Sequence, residues 1–127
     1  MRNDRYEVAV DTAKNRLYLV VKGYWSKPQE VPDYVDDLVS AAQRLRPAFT
    51  MVSDCTQMRP HHEDVMPVHL TAQQEVMKVG LARVAEVLPG AGTRLQARRM
   101  SNNTGMFKAE FDDRAEAEAW LDSELAN

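Results

Sequence analysis

The sequence contains a single cysteine, Cys55, and this shortage excludes two kinds of architecture. One cysteine forms no internal disulfide, and it cannot supply the thiolates of a Cys₂ or Cys₄ zinc site. Long apolar segments are also missing, because residues 17–21 and 84–88 fall far short of the ~20 residues that cross a bilayer. No apolar stretch follows the polar N-terminus, so we expect no signal peptide and a cytoplasmic location.

Positive charge is scarce as well. The chain has 16 Lys and Arg against 19 Asp and Glu, a net charge of −3, which argues against a nucleic-acid-binding surface. With only 5 Gly and 6 Pro, low-complexity and collagen-like classes are excluded. The sequence is 44% hydrophobic and 28% charged, which is typical of globular proteins. A chain of 127 residues with this composition predicts one globular domain, 1–127, with its own core.

Side-chain periodicity predicts elements in the order β-β-α-β-α-β-α-β-α. Residues 6–10 and 17–25 are β-rich runs joined by a polar turn, which predicts an antiparallel hairpin. An apolar stripe at helical spacing predicts a first helix that starts at Ser26, with Gln29 completing a capping box, or at Pro32. The other predicted elements are strands 49–52 and 106–111, and helices ending before 47, at 64–79, at 93–101 and from 112 onward.

Residues 81–88 are ambiguous, because a short apolar run fits either a strand or an extension of helix 64–79. We interpret them as a parallel strand covered on both faces, since Gly80 interrupts the helix and Pro89-Gly90 closes the run. The expected inner stripe of helix 64–79 includes Leu70 and Met77. Alternating strands and helices after a hairpin predict an α/β sandwich with a mixed sheet.

The C-terminal stretch 109–121 carries a family resemblance. It reads Ala-Glu-Phe-Asp-Asp-Arg-Ala-Glu-Ala-Glu-Ala-Trp-Leu, and it resembles the Phe-Asp…Glu-Ala…Trp-Leu ending of the SpoIIAA-like family of small bacterial proteins. Residues 80–85 are similar to the penultimate strand of that family. The resemblance covers about 6–125, and it implies a STAS-like sandwich with a mixed sheet of about five strands and about four helices.

The resemblance also implies a function. It points to a non-enzymatic regulatory or protein-interaction domain without a cofactor, and some SpoIIAA-like domains are thought to hold small apolar ligands. Some STAS domains are switched by phosphorylation in a loop after the third strand. In the matching stretch 54–60, Thr56 is the hydroxyl nearest that place, although the Ser-Gly pair of the pattern is missing.

The expected working surface lies at the carboxyl ends of the strands, where open α/β sheets gather their ligands. Aromatic residues at a strand end line a pocket or a dimer face, or close the core, and symmetric dimers are the commonest assemblies of small domains. A Gly-x-Gly at a helix start is a tight turn or an anion site. The candidate residues are Asp54, Cys55, Thr56, Gly90, Gly92, Thr93, Tyr24 and Trp25.

Two catalytic or metal-binding interpretations are weaker. The cluster His61, His62, Glu63 and Asp64, with His69 on the following helix, has ligand-type side chains but no metal-site spacing, so we expect a polar loop and no metal. Cys55 with a histidine and an aspartate can be drawn as a hydrolase set, but no motif brings the imidazole to the thiol. We therefore expect no enzymatic activity, with a cysteine- or histidine-dependent hydrolase as the last alternative.

Overall fold

Five strands form one mixed sheet with helices on both faces. The computed structural model describes residues 2–88 and 108–125. The strands are β1 Tyr6–Asp11, β2 Arg16–Gly23, β3 Phe49–Met58, β4 Leu81–Val87 and β5 Lys108–Phe111, and the helices are α1 Tyr34–Ala42, α2 Met66–Val79 and α3 Arg114–Leu125. Short 3₁₀ turns at Pro28–Glu30 and Glu63–Val65 precede α1 and α2. The helix predicted at 93–101 lies outside the described residues.

The order of the strands across the sheet follows the order along the chain, from β1 at one edge to β5 at the other. β1 and β2 are antiparallel, which confirms the hairpin, and every later pair is parallel. Parallel neighbours need a crossover, and α1 and α2 supply the first two. The predicted α/β sandwich with a mixed five-stranded sheet is therefore confirmed.

Alternation along the strands divides the side chains between two cores. The larger core lies under α1 and α2 and includes Leu19, Met51 and Val84. The smaller core lies under α3 and includes Val52, Ala85, Val87, Ala117 and Leu121. β3 and β4 thus contribute to both cores, and burial on both faces is the reason that residues 84–88 read as a nearly continuous apolar run.

The strand interpretation of 81–88 is confirmed, and the helix extension is wrong. Gly80 ends α2 with φ 128°, a backbone conformation that favours glycine. A Cβ at this position would lie 2.9 Å from the Cα of Pro47, so the chain passes too close to Pro47 for any side chain. β4 begins at the next residue, Leu81.

The prediction that the first helix starts at Ser26 is wrong, whereas the alternative start at Pro32 lies two residues before the observed one. α1 begins only at Tyr34 and ends at Ala42. Ser26 caps no helix, because the carboxylate of Glu30 reaches back instead and accepts hydrogen bonds from the backbone N–H groups of Ser26 (2.6 Å) and Lys27 (3.0 Å). These contacts stabilise a 3₁₀ turn, and they hold the pKa of Glu30 at about 2. Glu30, rather than Gln29, is the residue that completes the capping box.

The buried face of α2 also differs from the prediction. His69, Ala72 and Val76 are buried, whereas Leu70 and Met77 are only partly covered. The buried face of α2 thus includes a histidine, which the hydropathy pattern assigns to the surface, and His69 has its hydrogen-bonding partner, His61, in the interior.

Helix α3 is attached to the sheet by a buried arginine. Arg16 of β2 is fully buried, and its Nη1 lies 2.9 Å from Glu118 Oε1 and 3.0 Å from Asp122 Oδ1. Its Nε donates to Thr50 Oγ1 at 3.1 Å. The two carboxylates raise the pKa of Arg16 against the opposing effect of burial. The charged face of α3 is thereby fixed over β2.

Candidate functional site

The residues predicted to form a loop after the third strand belong to the strand itself. β3 continues to Met58, where the prediction ended it at residue 52, so Asp54, Cys55 and Thr56 have extended backbone. This part of β3 pairs with β2 as far as Gly23, but it extends beyond the last residue that pairs with β4. Polar residues are compatible with a strand end that has β2 as its paired neighbour and no pairing with β4. The prediction that these residues form a loop is therefore wrong, because they lie in strand β3.

Strand alternation separates these three candidates. Cys55 is buried under α1 and α2, whereas Asp54 lies 3.8 Å from Arg114 of α3, on the opposite face. Thr56 is exposed, and its Oγ1 donates to Asp54 Oδ1 at 2.6 Å. The expected continuous surface is thus two different environments, one interior and one exposed.

The interior environment is a cavity of about 50 Å³ between the sheet and the two helices. It exceeds the roughly 10–15 Å³ that one buried water needs. Its apolar lining includes Leu19, Leu38, Met51, Ala72 and Val84, and its polar lining includes Ser53, Cys55, His69, Gln73 and Glu86. The polar groups of β3 and β4 lie side by side, because Ser53 is the register partner of Glu86.

Glu86, one residue of this polar wall, belongs to a buried ion pair. Lys108 Nζ lies 3.1 Å from Glu86 Oε1, and the two side chains are 8% and 7% exposed. Burial raises the pKa of Glu86, and the Lys108 ammonium opposes that rise. The direction of the contact does not meet hydrogen-bond geometry, and Lys108 Nζ has no hydrogen-bond acceptor among the described residues.

Two histidines close one side of the larger core. His61 Nδ1 lies 2.8 Å from His69 Nε2, and His61 Nε2 lies 3.1 Å from the carbonyl oxygen of Gly23. A carbonyl only accepts, so in the neutral pair His61 Nε2 carries the proton, His61 Nδ1 accepts, and His69 Nε2 donates. Trp25 stacks on both rings, with centroid distances of 4.6 Å and 5.2 Å.

Burial lowers the pKa of both imidazoles, to about 4 for His61 and about 3 for His69. Each ring is therefore neutral at pH 7. Of the two adjacent histidines in the sequence cluster, His62 is exposed and His61 is the partner of His69. Within residues 2–88 and 108–125, no group of three or more His, Cys, Asp or Glu side chains is arranged to hold a metal.

Cys55 has the environment of a packed side chain. Its Sγ lies 3.7 Å from Ser53 Oγ, and His61 and His69 bond to each other rather than to the thiol. Burial raises the pKa of Cys55 to about 12, with Glu86 contributing in the same direction. A thiol with this pKa holds almost no thiolate at neutral pH, so it is a poor nucleophile.

The other predicted site residues are divided between core and surface. Trp25 is fully buried, with its Nε1 donating to the carbonyl of Lys22 at 3.0 Å, whereas Tyr24 is 46% exposed. Gly90, Gly92 and Thr93 lie outside the described residues. In the ranges that the structure covers, no helix combines the length and apolarity that a membrane crossing requires.

Sequence reasoning missed Glu86 and Lys108. A usable signal was present, because Glu86 is a lone charge within the apolar run 84–88. A charge inside a strand that is covered on both faces needs a partner. The partner could not be identified, since Lys108 occupies an alternating segment in which the apolar residues were expected to face inward.

Comparison with solved structures decides the fold. No protein-family model matches the chain, and no curated protein matches it. A crystal structure of an uncharacterised DUF3478-family protein from Shewanella loihica PV-4, described as having a SpoIIAA-like fold, superposes with a TM-score of 0.62. The match covers 95% of this chain and 97% of that chain, at 16% identity. The fold is SpoIIAA-like. At this identity the likeness shows the fold alone.

The SpoIIAA-like fold accounts for the position of the cavity. Both crossover helices lie on one face of the sheet and enclose the cavity between themselves and β2, β3 and β4. The cavity and its polar wall are therefore built from consecutive elements of this fold, and we take them as the candidate site.

Proposed function

We propose that this SpoIIAA-like protein is a non-enzymatic binding module whose cavity beneath α1 and α2 takes a small, mainly apolar ligand. The cavity is the observation that carries the proposal, because most of its lining is apolar and only a few polar groups face it. Small-molecule sites commonly combine these two features. The raised pKa of Cys55 supports the non-enzymatic part.

The volume limits the size of the ligand. Pockets for drug-sized molecules measure roughly 300–1,000 Å³, whereas this cavity measures about 50 Å³. The ligand held inside is therefore a molecule of a few non-hydrogen atoms, or the end of a longer apolar chain. A cytoplasmic location belongs to the same proposal, and it rests on the lone cysteine and on the likeness to small bacterial proteins.

Xenon tests whether the cavity admits an apolar guest. Under xenon pressure, we expect saturable ¹H–¹⁵N NMR shifts at Met51 and Val84, which line the cavity. Ala72 also lines it and is buried, so Ala72→Leu should fill the space and abolish the shifts. Ala9→Leu makes the same change at an exposed position of β1 and should retain them. No saturable shift in the parent protein overturns the proposal.

A regulatory role through a protein partner is the second candidate. It is favoured by the exposed ring of Tyr24, since an exposed aromatic side chain is a typical interface anchor. The partner that we propose is a second copy of this chain. Sedimentation velocity should then show a dimer that Tyr24→Ser converts to monomer, and a monomeric parent protein contradicts this role.

A further inference from the structure

Burying the ion pair between Glu86 and Lys108 costs desolvation free energy, and a cavity that binds only apolar molecules does not need it. Both side chains are more than nine-tenths buried, and each loses most of its hydration. A single buried pair regains this loss only with good geometry and further hydrogen bonds. Here the 3.1 Å contact is an ion pair without hydrogen-bond geometry, and Lys108 Nζ has no acceptor among the described residues.

The two partners have different positions relative to the cavity. Glu86 lines it, beside Ser53 on the neighbouring strand, whereas Lys108 lies one strand further toward the sheet edge, where its register partner is Val84. Lys108 therefore supplies the counter-charge, while Glu86 is the member of the pair that a guest in the cavity can contact. An ionised carboxylate only accepts hydrogen bonds.

Charge balance then selects the class of ligand. The pair is neutral as a whole, so a cationic or anionic guest would bring an uncompensated charge into an apolar interior. A neutral guest without a donor would cover the carboxylate and leave it without a hydrogen bond. Only a neutral guest with a hydroxyl or amide N–H satisfies Glu86 and buries its apolar part against Leu38, Met51 and Val84.

We propose that the cavity selects small neutral molecules with one hydrogen-bond donor, such as short alcohols or amides, and that Glu86 accepts this hydrogen bond while Lys108 cancels its charge. This inference rests on the proposed function and deepens it, because it names the ligand class. Glu86 acts as the specificity-determining residue, and Lys108 acts through Glu86.

Four matched probes test the selection by ¹H–¹⁵N NMR titration: butan-1-ol, 1-fluorobutane, butyrate and n-butylammonium. We expect butan-1-ol to shift the amides of Ser53, Val84 and Glu86 saturably. 1-Fluorobutane has a similar shape but no donor, and we expect it to bind about tenfold more weakly or worse. Butyrate and n-butylammonium should give no saturable shift.

Variants separate selection from general binding. E86L/K108M replaces the pair with apolar side chains of similar size, and it should remove the preference for butan-1-ol over 1-fluorobutane. E75Q/K78M removes an exposed ion pair on α2 and should leave the preference unchanged. Folding of each variant is checked by the dispersion of the same spectra.

The outcomes distinguish the two proposals. Equal binding of butan-1-ol and 1-fluorobutane to the parent protein overturns the role of Glu86 and leaves the apolar cavity intact. Binding of either charged probe at these amides also overturns it. If none of the four probes binds and xenon gives no shift, the proposed function fails as well.

Discussion

Acidification should destabilise this protein through the buried pair of His61 and His69. In the unfolded chain both imidazoles titrate near the ordinary pKa of about 6.5. In the folded protein burial lowers these pKa values to about 4 and about 3. Below pH 6.5 the unfolded state therefore binds more protons than the folded state does. The free energy of unfolding consequently falls as the pH falls. The loss begins near pH 6.5 and levels off below about pH 3.

The expected magnitude follows from the same values. A pH of 5.0 lies about 1.5 units below the pKa of histidine in the unfolded chain. At this pH each imidazole is protonated in the unfolded chain and largely neutral in the folded protein. At 1.36 kcal/mol per unit, the two histidines together remove roughly 4 kcal/mol between pH 7.5 and 5.0. A domain of ordinary stability, about 5–15 kcal/mol, would lose a large share of it.

Urea unfolding at pH 7.5 and pH 5.0, followed by tryptophan fluorescence, measures this loss. Trp25 is a direct reporter because it stacks on both imidazoles. His69→Gln should reduce the pH dependence by about one histidine's share, whereas His62→Gln, at an exposed position, serves as the matched control. NMR titration of the imidazole protons supplies a second measurement on the parent protein. A pKa near 6.5 for either His61 or His69 in the folded protein would refute the reasoning.

Three further predictions concern packing. Arg16→Met removes the charged hydrogen bonds that tie β2 to the partly exposed carboxylates of α3 and should cost about 2 kcal/mol, measured by urea unfolding; an unchanged midpoint contradicts the anchoring role. Gly80→Ala places a Cβ 2.9 Å from Pro47 and should lower the melting temperature more than Gly23→Ala, where nothing lies within 4 Å; equal losses would contradict the close approach. Burial and the pKa of about 12 should protect Cys55 from iodoacetamide at pH 8 until urea is added, and rapid labelling of the folded protein contradicts this.

Local patterns predicted most of the fold. The hairpin, the strand at 81–88 and the helix after Asp113 were predictable because period-two and helical spacing, with glycine and capping signals, act over a few residues. Asp113 does accept the hydrogen bond of a helix cap, from the N–H of Glu116 at 2.8 Å. The extent of β3 was not predictable, because its polar second half is held by pairing with β2, which is distant in sequence.

The candidate site also has features that local sequence predicted and features that it could not predict. Cys55 was placed near a strand end from sequence, but alternation buried it and left Thr56 exposed. The partners of His69 and Glu86 were not predictable, because a buried polar side chain is defined by the group that satisfies it. Those groups come from other elements, at separations that no local pattern encodes.

The sequence by itself determined the class of this protein: a single-cysteine, mildly acidic chain that builds an α/β sheet, because composition and periodicity are properties of neighbouring residues. Only the tertiary structure decided where its charges and imidazoles lie. Packing two helices over one sheet face joined His61 to His69, and pairing of β4 with β5 brought Glu86 beside Lys108, all in the interior of the protein. Burial lowered the pKa values of the two imidazoles and raised that of Glu86, because the cost of desolvating a charge depends on the whole fold. Burial of Glu86 also gave an otherwise apolar cavity a polar wall.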